Sequence, residues 1–241
     1  METYSYIAVD LGAESGRVML SDVSDEEMNL REAHRFANGP VEEDDLLRWD
    51  FPTLMSEIKT GISKAASEAA HKVKGIGIDS WGVDFGLLDS SGDIIEKPWH
   101  YRDPKRHEMR EEAFKQMPSR ELYEHSGVQL MPVNGFYQLL YLKRHKPEVL
   151  ERAEKLVMIA DLFSYRLCGQ AYSEYTLAST SQMLDMQTGQ WSTEVLEAFD
   201  LPVDIMPDIV APGTTVGQLT PEVADELGCD RLPVIAVASH D

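Results

Sequence analysis

The chain has 241 residues, of which 43% are hydrophobic and 27% are charged, and its formal net charge at pH 7 is −20. This composition is too hydrophobic for a disordered chain and supplies the core of one large domain or two small ones. The acidic excess argues against a nucleic-acid backbone as the partner, because that role needs Lys and Arg gathered on one face.

The sequence also indicates in which cellular compartment the protein is found. The first residues lack the basic and apolar regions of a signal peptide, and no apolar run is long enough to span a membrane. We therefore expect a cytoplasmic protein. Cys168 and Cys229 lie far apart without a CxxC spacing, which favours two free thiols, with a structural disulfide as the alternative.

Apolar runs and helical periodicity predict an alternation of strands and helices. Strands are predicted, in chain order, at residues 7–9, 17–20, 31–36, 76–79, 85–88, 94–95 and 234–238. Helices are predicted at residues 52–69, 104–117, 136–145, 158–167 and 221–227. Gly12 and Gly16 connect the first two strands, and we expect positive φ there. The order predicts a single α/β domain whose mixed sheet has an antiparallel start and parallel additions.

Residues 10–17 combine a carboxylate at the end of a buried strand with a tight turn that contains glycine. Such a turn can direct backbone N–H groups, the Ser15 hydroxyl and the Arg17 guanidinium at a phosphate. Asp10 can hold Mg²⁺ directly or through water, because hard cations prefer oxygen ligands. The spacing alone fits an ordinary β-hairpin equally well.

Residues 79–84 arrange two carboxylates and an indole around a glycine turn, which suits a polyol ligand. Asp79 and Asp84 can accept hydrogen bonds from hydroxyl groups, Trp81 offers an aromatic face to C–H groups, and Gly82 allows close approach of the backbone. Each residue also has a structural interpretation, since Trp is often a core residue and Asp often belongs to a turn.

Asp241 follows the predicted strand at residues 234–238. Loops at the carboxyl ends of strands commonly carry the sites of α/β folds, although an Asp there often has a structural role. Other nucleotide and metal motifs are missing from the sequence. There is no GxxxxGK[ST] loop, the glycines of residues 75–82 lack the dinucleotide-binding spacing, and the histidines show no zinc pattern.

Together these segments resemble the FGGY family of sugar kinases, which share the fold of actin, hexokinase and Hsp70. Residues 10–20 resemble the phosphate hairpin of that family. Residues 31–39 and 77–85 are similar to its L-rhamnulose kinases in particular, with Ser80 where those enzymes usually carry Thr. The match continues at residues 101–103, 137–139 and 236–241, so that it covers essentially the whole chain.

The resemblance implies an actin-like ATPase (ribonuclease H-like) fold and the use of ATP and Mg²⁺. The phosphate-binding residues that it implies are Gly12, Ala13, Glu14, Ser15, Gly16 and Arg17, with Asp10 for Mg²⁺. The sugar-binding residues that it implies are Trp81, Gly82, Asp84, His240 and Asp241. In this scheme Asp241 is also the catalytic base that takes a proton from the acceptor hydroxyl.

FGGY kinases have two domains around a cleft, and the resemblance implies that residues 1–241 are the first, sugar-binding domain without the C-terminal nucleotide-binding domain. The complete enzyme is expected to transfer the γ-phosphoryl group of ATP to the 1-hydroxyl of L-rhamnulose, whereas residues 1–241 alone are expected to be inactive. The alternatives are a kinase for another ketose, such as L-fuculose, and a non-catalytic sugar-binding half-kinase. The expected partners are the sugar, ATP and the missing domain, with no nucleic acid and no membrane; nothing indicates an oligomeric state.

Overall fold

The computed structural model describes residues 2–240, so that Met1 and Asp241 lie outside the described residues. The strands are β1 (Tyr4–Leu11), β2 (Ser15–Val23), β3 (Met28–Ala37), β4 (Pro40–Glu43), β5 (Leu46–Trp49), β6 (Val73–Ser80), β7 (Phe85–Leu88), β8 (Lys155–Met158), β9 (Ser173–Glu174), β10 (Leu184–Asp185), β11 (Gln190–Trp191), β12 (Ile209–Val210), β13 (Thr214–Gln218) and β14 (Pro233–Ala236). The helices are α1 (Phe51–Glu68), α2 (Pro104–Gln116), α3 (Ser119–Ser126), α4 (Gly135–His145), α5 (Pro147–Leu150), α6 (Ile159–Cys168), α7 (Tyr175–Ser179), α8 (Thr193–Ala198) and α9 (Pro221–Leu227).

A six-stranded sheet with the order β13-β14-β6-β1-β2-β3 organises the chain. Strands β1, β2 and β3 are antiparallel neighbours, β6 and β14 are added in parallel to β1, and β13 closes the other edge antiparallel to β14. This topology confirms the predicted mixed sheet with an antiparallel start. Because β1, β6 and β14 are parallel, their carboxyl ends meet at one edge of the sheet.

The core forms between one face of this sheet and the helices. In β1 the residues that alternate along the strand, Ile7, Val9 and Leu11, are buried, as expected for a strand with one covered face. Helix α1 packs against this face with a buried stripe of apolar residues. Gly61 allows the close approach, because a Cβ there would lie 2.3 Å from Cγ2 of Val18 on β2.

Helix ends follow the signals in the sequence. Asp103 caps α2 by accepting a hydrogen bond from the N–H of Lys105, 2.9 Å away, and Pro104 occupies the first turn. Gly169 and Gly228 end α6 and α9 in the left-handed conformation that glycine adopts without strain. Local side-chain chemistry therefore determines where these helices begin and end.

Three details of the sequence-based prediction are wrong. Neither Gly12 nor Gly16 has a positive φ. Residues 94–95 form no strand: Ile94 makes a single bridge to Leu88, and the main partner of β7 is β8. The last strand ends at Ala236 rather than at residue 238.

Two general expectations can also be compared with the structure. Cys168 is buried and Cys229 is half-buried, and both are free thiols, as the spacing favoured. None of the helices in residues 2–240 combines the length and the apolar composition that a membrane span requires.

Candidate sugar and phosphate site at the strand ends

Three segments that the sequence analysis singled out meet at the carboxyl edge of the central sheet. In the parallel ladder of β1 and β6, Asp10 lies beside Asp79, so that both residues are on the same face. The N–H of Ser80 donates a hydrogen bond to the carbonyl of Ser239 at 2.9 Å, and Ser80 forms a parallel bridge with His240. Segments that are distant in the sequence therefore lie side by side at this edge.

The turn between β1 and β2 is closed and braced by hydrogen bonds. The Gly12 N–H donates to the Ser15 carbonyl at 2.9 Å. Asn38, just beyond β3, donates from its backbone N–H to the Glu14 carbonyl at 3.0 Å and from its side-chain amide to the Gly12 carbonyl at 2.8 Å. The sequence analysis did not identify Asn38, although it lies within the segment 31–39 that carries the resemblance.

The predicted phosphate residues line this turn with different degrees of exposure. Ala13 is half-buried, whereas Glu14 and Ser15 are exposed. Gly16 is buried beneath the ring of Phe36, where a Cβ would lie 2.4 Å from Cε2 of that ring. Gly16 is therefore required for close packing and not for the positive φ that we expected.

Arg17 and Asp10, predicted to bind phosphate and Mg²⁺ respectively, contact each other. Nε of Arg17 donates to Oδ2 of Asp10 at 2.6 Å, and both side chains remain partly exposed. No cluster of three or more His, Cys, Asp or Glu side chains within residues 2–240 could hold a metal by itself. Mg²⁺ bound with phosphates usually keeps waters and takes one or two carboxylates, so that Asp10 with its neighbour Asp79 fits that ion.

Gly82 and His240 are in close contact, as are Gly82 and Thr180. A Cβ on Gly82 would lie 3.0 Å from Nε2 of His240 and 3.0 Å from Cγ2 of Thr180. The Val83 N–H donates to Oγ1 of Thr180 at 2.7 Å, and Val83 itself has φ of 68°. Two predicted sugar-binding residues, Gly82 and His240, therefore lie next to each other. Thr180, directly after helix α7, packs against Gly82 from another side.

The Asp84 carboxylate lies below this surface and is fully buried. It accepts hydrogen bonds from Nε1 of Trp49 at 2.6 Å and from Nε1 of Trp81 at 2.9 Å, and it pairs with Arg106 at 2.7 Å. Burial raises the pKa of Asp84, while the Arg106 cation and the two indole donors act against that rise. The carboxylate is thus enclosed by its own donors, and in this structure it holds the Trp81 indole in place.

Aromatic rings continue inwards from Trp81. The rings of Trp81 and Trp49 stack with their centroids 3.9 Å apart, and Trp49 in turn lies 4.0 Å from the His100 ring. Burial, followed by the charges of Arg102 and Arg106, lowers the pKa of His100 to about 4. His100 is therefore neutral near pH 7 and packs as an aromatic residue.

Asp241 lies outside the described residues, so that its assignment as the base stays a prediction. His240, directly before it, is exposed at the carboxyl edge. The residues that sequence reasoning missed, Asn38, Trp49, Arg106 and Thr180, act through contacts with segments far away in the chain. No local pattern identifies such contacts.

Comparison with known proteins places this geometry in a family. Residues 5–241 match the description "FGGY family of carbohydrate kinases, N-terminal domain". A rhamnulokinase from Bacteroides thetaiotaomicron is 38% identical over 237 residues, covering 98% of this chain and 49% of that protein. A rhamnulokinase from Halalkalibacterium halodurans is 37% identical over 235 residues, covering 98% of this chain and 50% of that protein. The chain thus spans about half the length of the curated relatives that it matches.

Solved structures agree on the fold. Gluconate kinase from Lactobacillus acidophilus superimposes with a TM-score of 0.87 at 19% identity, over 98% of this chain and 48% of that one. Ligand-bound xylulose kinase from the same organism gives a TM-score of 0.86 at 19% identity, over 97% of this chain and 48% of that one. These similarities confirm the actin-like ATPase fold. With the match over residues 5–241, they lead to one conclusion: the chain belongs to the FGGY family of carbohydrate kinases, and its residues correspond to the N-terminal domain of that family.

Proposed function

We propose that this chain is the sugar-binding domain of an ATP-dependent kinase that phosphorylates L-rhamnulose on its 1-hydroxyl. The observation that carries the proposal is the meeting of Gly82 and His240 at the same strand ends as the turn of residues 12–16. A sugar against Gly82 would lie beside a turn suited to phosphate. The similarity to rhamnulokinases at 37–38% identity supports L-rhamnulose as the acceptor.

Positioning and charge neutralisation dominate phosphoryl transfer, because its transition state is loose. We propose that the backbone N–H groups of the turn and the Arg17 guanidinium hold the phosphates of ATP. Arg17 would then exchange its carboxylate partner for a phosphate, which frees Asp10. Mg²⁺ held by Asp10 beside Asp79 would neutralise phosphate charge.

At the sugar end, some residues would contact the sugar directly, and others would hold those residues in place. The half-buried Gly82 and the exposed His240 side chain would contact the sugar, and Asp241 would take the proton from its 1-hydroxyl. Asp84 would act through Trp81, whose indole it holds, rather than by touching the sugar. Because the phosphoryl donor is ATP, we also propose a cytoplasmic location.

Calorimetric titration of the chain with L-rhamnulose, L-fuculose, D-xylulose and glycerol tests the proposal. We expect L-rhamnulose to bind most tightly, because the segment 77–85 resembles the L-rhamnulose kinases. Tightest binding of L-fuculose would be consistent with a sugar kinase of the FGGY family, but the proposed acceptor would then be L-fuculose instead of L-rhamnulose. Tightest binding of glycerol or D-xylulose, or no binding of any sugar, would contradict the proposal.

A further inference from the structure

A buried carboxylate lies directly beneath the Ser239–His240 segment, outside every motif used so far. Glu174, at the end of β9, is fully buried. Its Oε1 accepts from the Thr176 N–H at 3.0 Å, and its Oε2 accepts from the Leu177 N–H at 3.1 Å. Oε2 also accepts from the Ser239 N–H at 3.2 Å, across 65 positions of sequence. One side chain therefore joins the start of α7 to the segment after β14.

The Thr176 hydroxyl extends this connection by one residue. It donates to Oε2 of Glu174 at 2.5 Å. Its single proton is committed to the carboxylate, which leaves its lone pairs to accept from the His240 N–H at 3.3 Å. Glu174 and Thr176 thus hold the two consecutive backbone N–H groups of Ser239 and His240.

Capping α7 does not require this arrangement. Ser, Thr, Asp and Asn are the usual N-cap residues, so that a Glu at this position is unusual for a cap alone. A buried carboxylate is costly unless hydrogen bonds satisfy it, and here those bonds come from two separate segments.

We propose that Glu174 and Thr176 are positioning residues that fix the backbone of Ser239 and His240 at the sugar. The inference deepens the proposed function and rests on it, because it takes His240 and Asp241 to serve the sugar. His240 touches Gly82, so that a shift of its backbone would change the width of the sugar contact.

The test compares Thr176→Val, which keeps the shape and removes the hydroxyl, with Thr176→Ser, which keeps the hydroxyl. The matched control is Thr220→Val, because Thr220 caps a different helix, α9, by accepting from the Val223 N–H at 3.2 Å. Three quantities are measured for each protein: the melting temperature, amide hydrogen exchange of Ser239 and His240 by NMR, and the L-rhamnulose Kd by calorimetry.

For Thr176→Val we expect the His240 amide to exchange roughly fivefold or more faster and the Kd to rise by a similar factor, as for one lost hydrogen bond. Thr176→Ser should restore both quantities, and Thr220→Val should lower only the melting temperature. If Thr176→Val does not fold, Glu174→Gln, which keeps the size and removes the charge, takes its place with the Ser239 amide as the readout.

Unchanged exchange of these amides would overturn the inference. Faster exchange without a change in Kd would overturn it as well, because the backbone would then be held for stability alone. A wild-type chain that binds no L-rhamnulose contradicts the proposed function instead. Exchange in the sugar-free protein then still decides whether Glu174 and Thr176 fix the Ser239–His240 backbone.

Discussion

Gly82 has close neighbours on two sides in the candidate sugar site. A Cβ on Gly82 would lie 3.0 Å from His240 and from Thr180, so that a side chain there requires these neighbours to shift, and the next residue, Val83, adopts a left-handed conformation. Below it, Asp84 holds Trp81 with a carboxylate that is fully buried. At the scale of single residues, the surface at the strand ends is thus formed by backbone and shaped by buried side chains.

Gly82→Ala should weaken L-rhamnulose binding by roughly tenfold or more, because one extra methyl group in a tight contact costs about 1–3 kcal/mol. The new Cβ would lie 3.0 Å from His240 and must displace its ring. Gly39→Ala is the control, since a Cβ on Gly39 meets no atom within 4 Å. Calorimetry measures the affinity of both variants for L-rhamnulose. Equal affinities would show that Gly82 does not lie in the sugar site.

His100 should make stability depend on pH below neutrality. Its pKa falls from 6.5 to about 4 on folding, chiefly because of burial, so that between these values the unfolded chain binds more protons. The stability contributed by neutral His100 is complete above pH 6.5 and is lost as the pH falls towards 4. Replacing His100 with Gln should reduce this loss in melting experiments.

The control for this pH effect is His107→Gln, because His107 is exposed on α2. Its melting temperature should follow the wild-type pH dependence. The same pH dependence in His100→Gln and in wild type would show that His100 does not resist protonation in the folded chain.

At the scale of elements, the periodicity of the sequence predicts the central strands and the longer helices, and caps such as Asp103 predict where helices begin. The same reasoning does not find Glu174, whose partners include Ser239 across 65 positions. It also predicts a positive φ for Gly16, whereas Gly16 is needed for packing against the ring of Phe36, which belongs to another strand. What sequence reasoning misses is contact between elements, and the candidate site consists mostly of such contacts.

The β1–β2 turn illustrates this dependence on a neighbouring element. Asn38→Ala removes the side-chain bond to the Gly12 carbonyl, worth about 1 kcal/mol, and should make the turn more mobile. NMR relaxation of the amides of residues 12–15 measures this change. The control is Asn29→Ala, since Asn29 is exposed on β3, where it lies opposite Asp22 of β2 and away from the turn. Equal amide order in both variants would show that Asn38 does not brace the turn.

At the scale of the whole molecule, the chain spans about half the length of its curated relatives and carries one turn that we propose binds phosphate. Well-oriented reactants can gain ~7–11 kcal/mol from positioning, and we propose that a second domain supplies part of it. Residues 1–241 should therefore bind Mg-ATP weakly and phosphorylate L-rhamnulose near the background rate in a coupled assay. Rapid turnover would mean that residues 1–241 complete the site themselves.

We propose that a sugar binds where Gly82 and His240 meet at the carboxyl edge of the sheet. Residue-resolved NMR of the chain during titration with L-rhamnulose tests it most directly. We expect saturable shifts of the Gly82, Val83, Thr180 and His240 resonances, with little change at α9, and no such shifts with glycerol at equal concentration. Saturable shifts confined to other parts of the chain would contradict it.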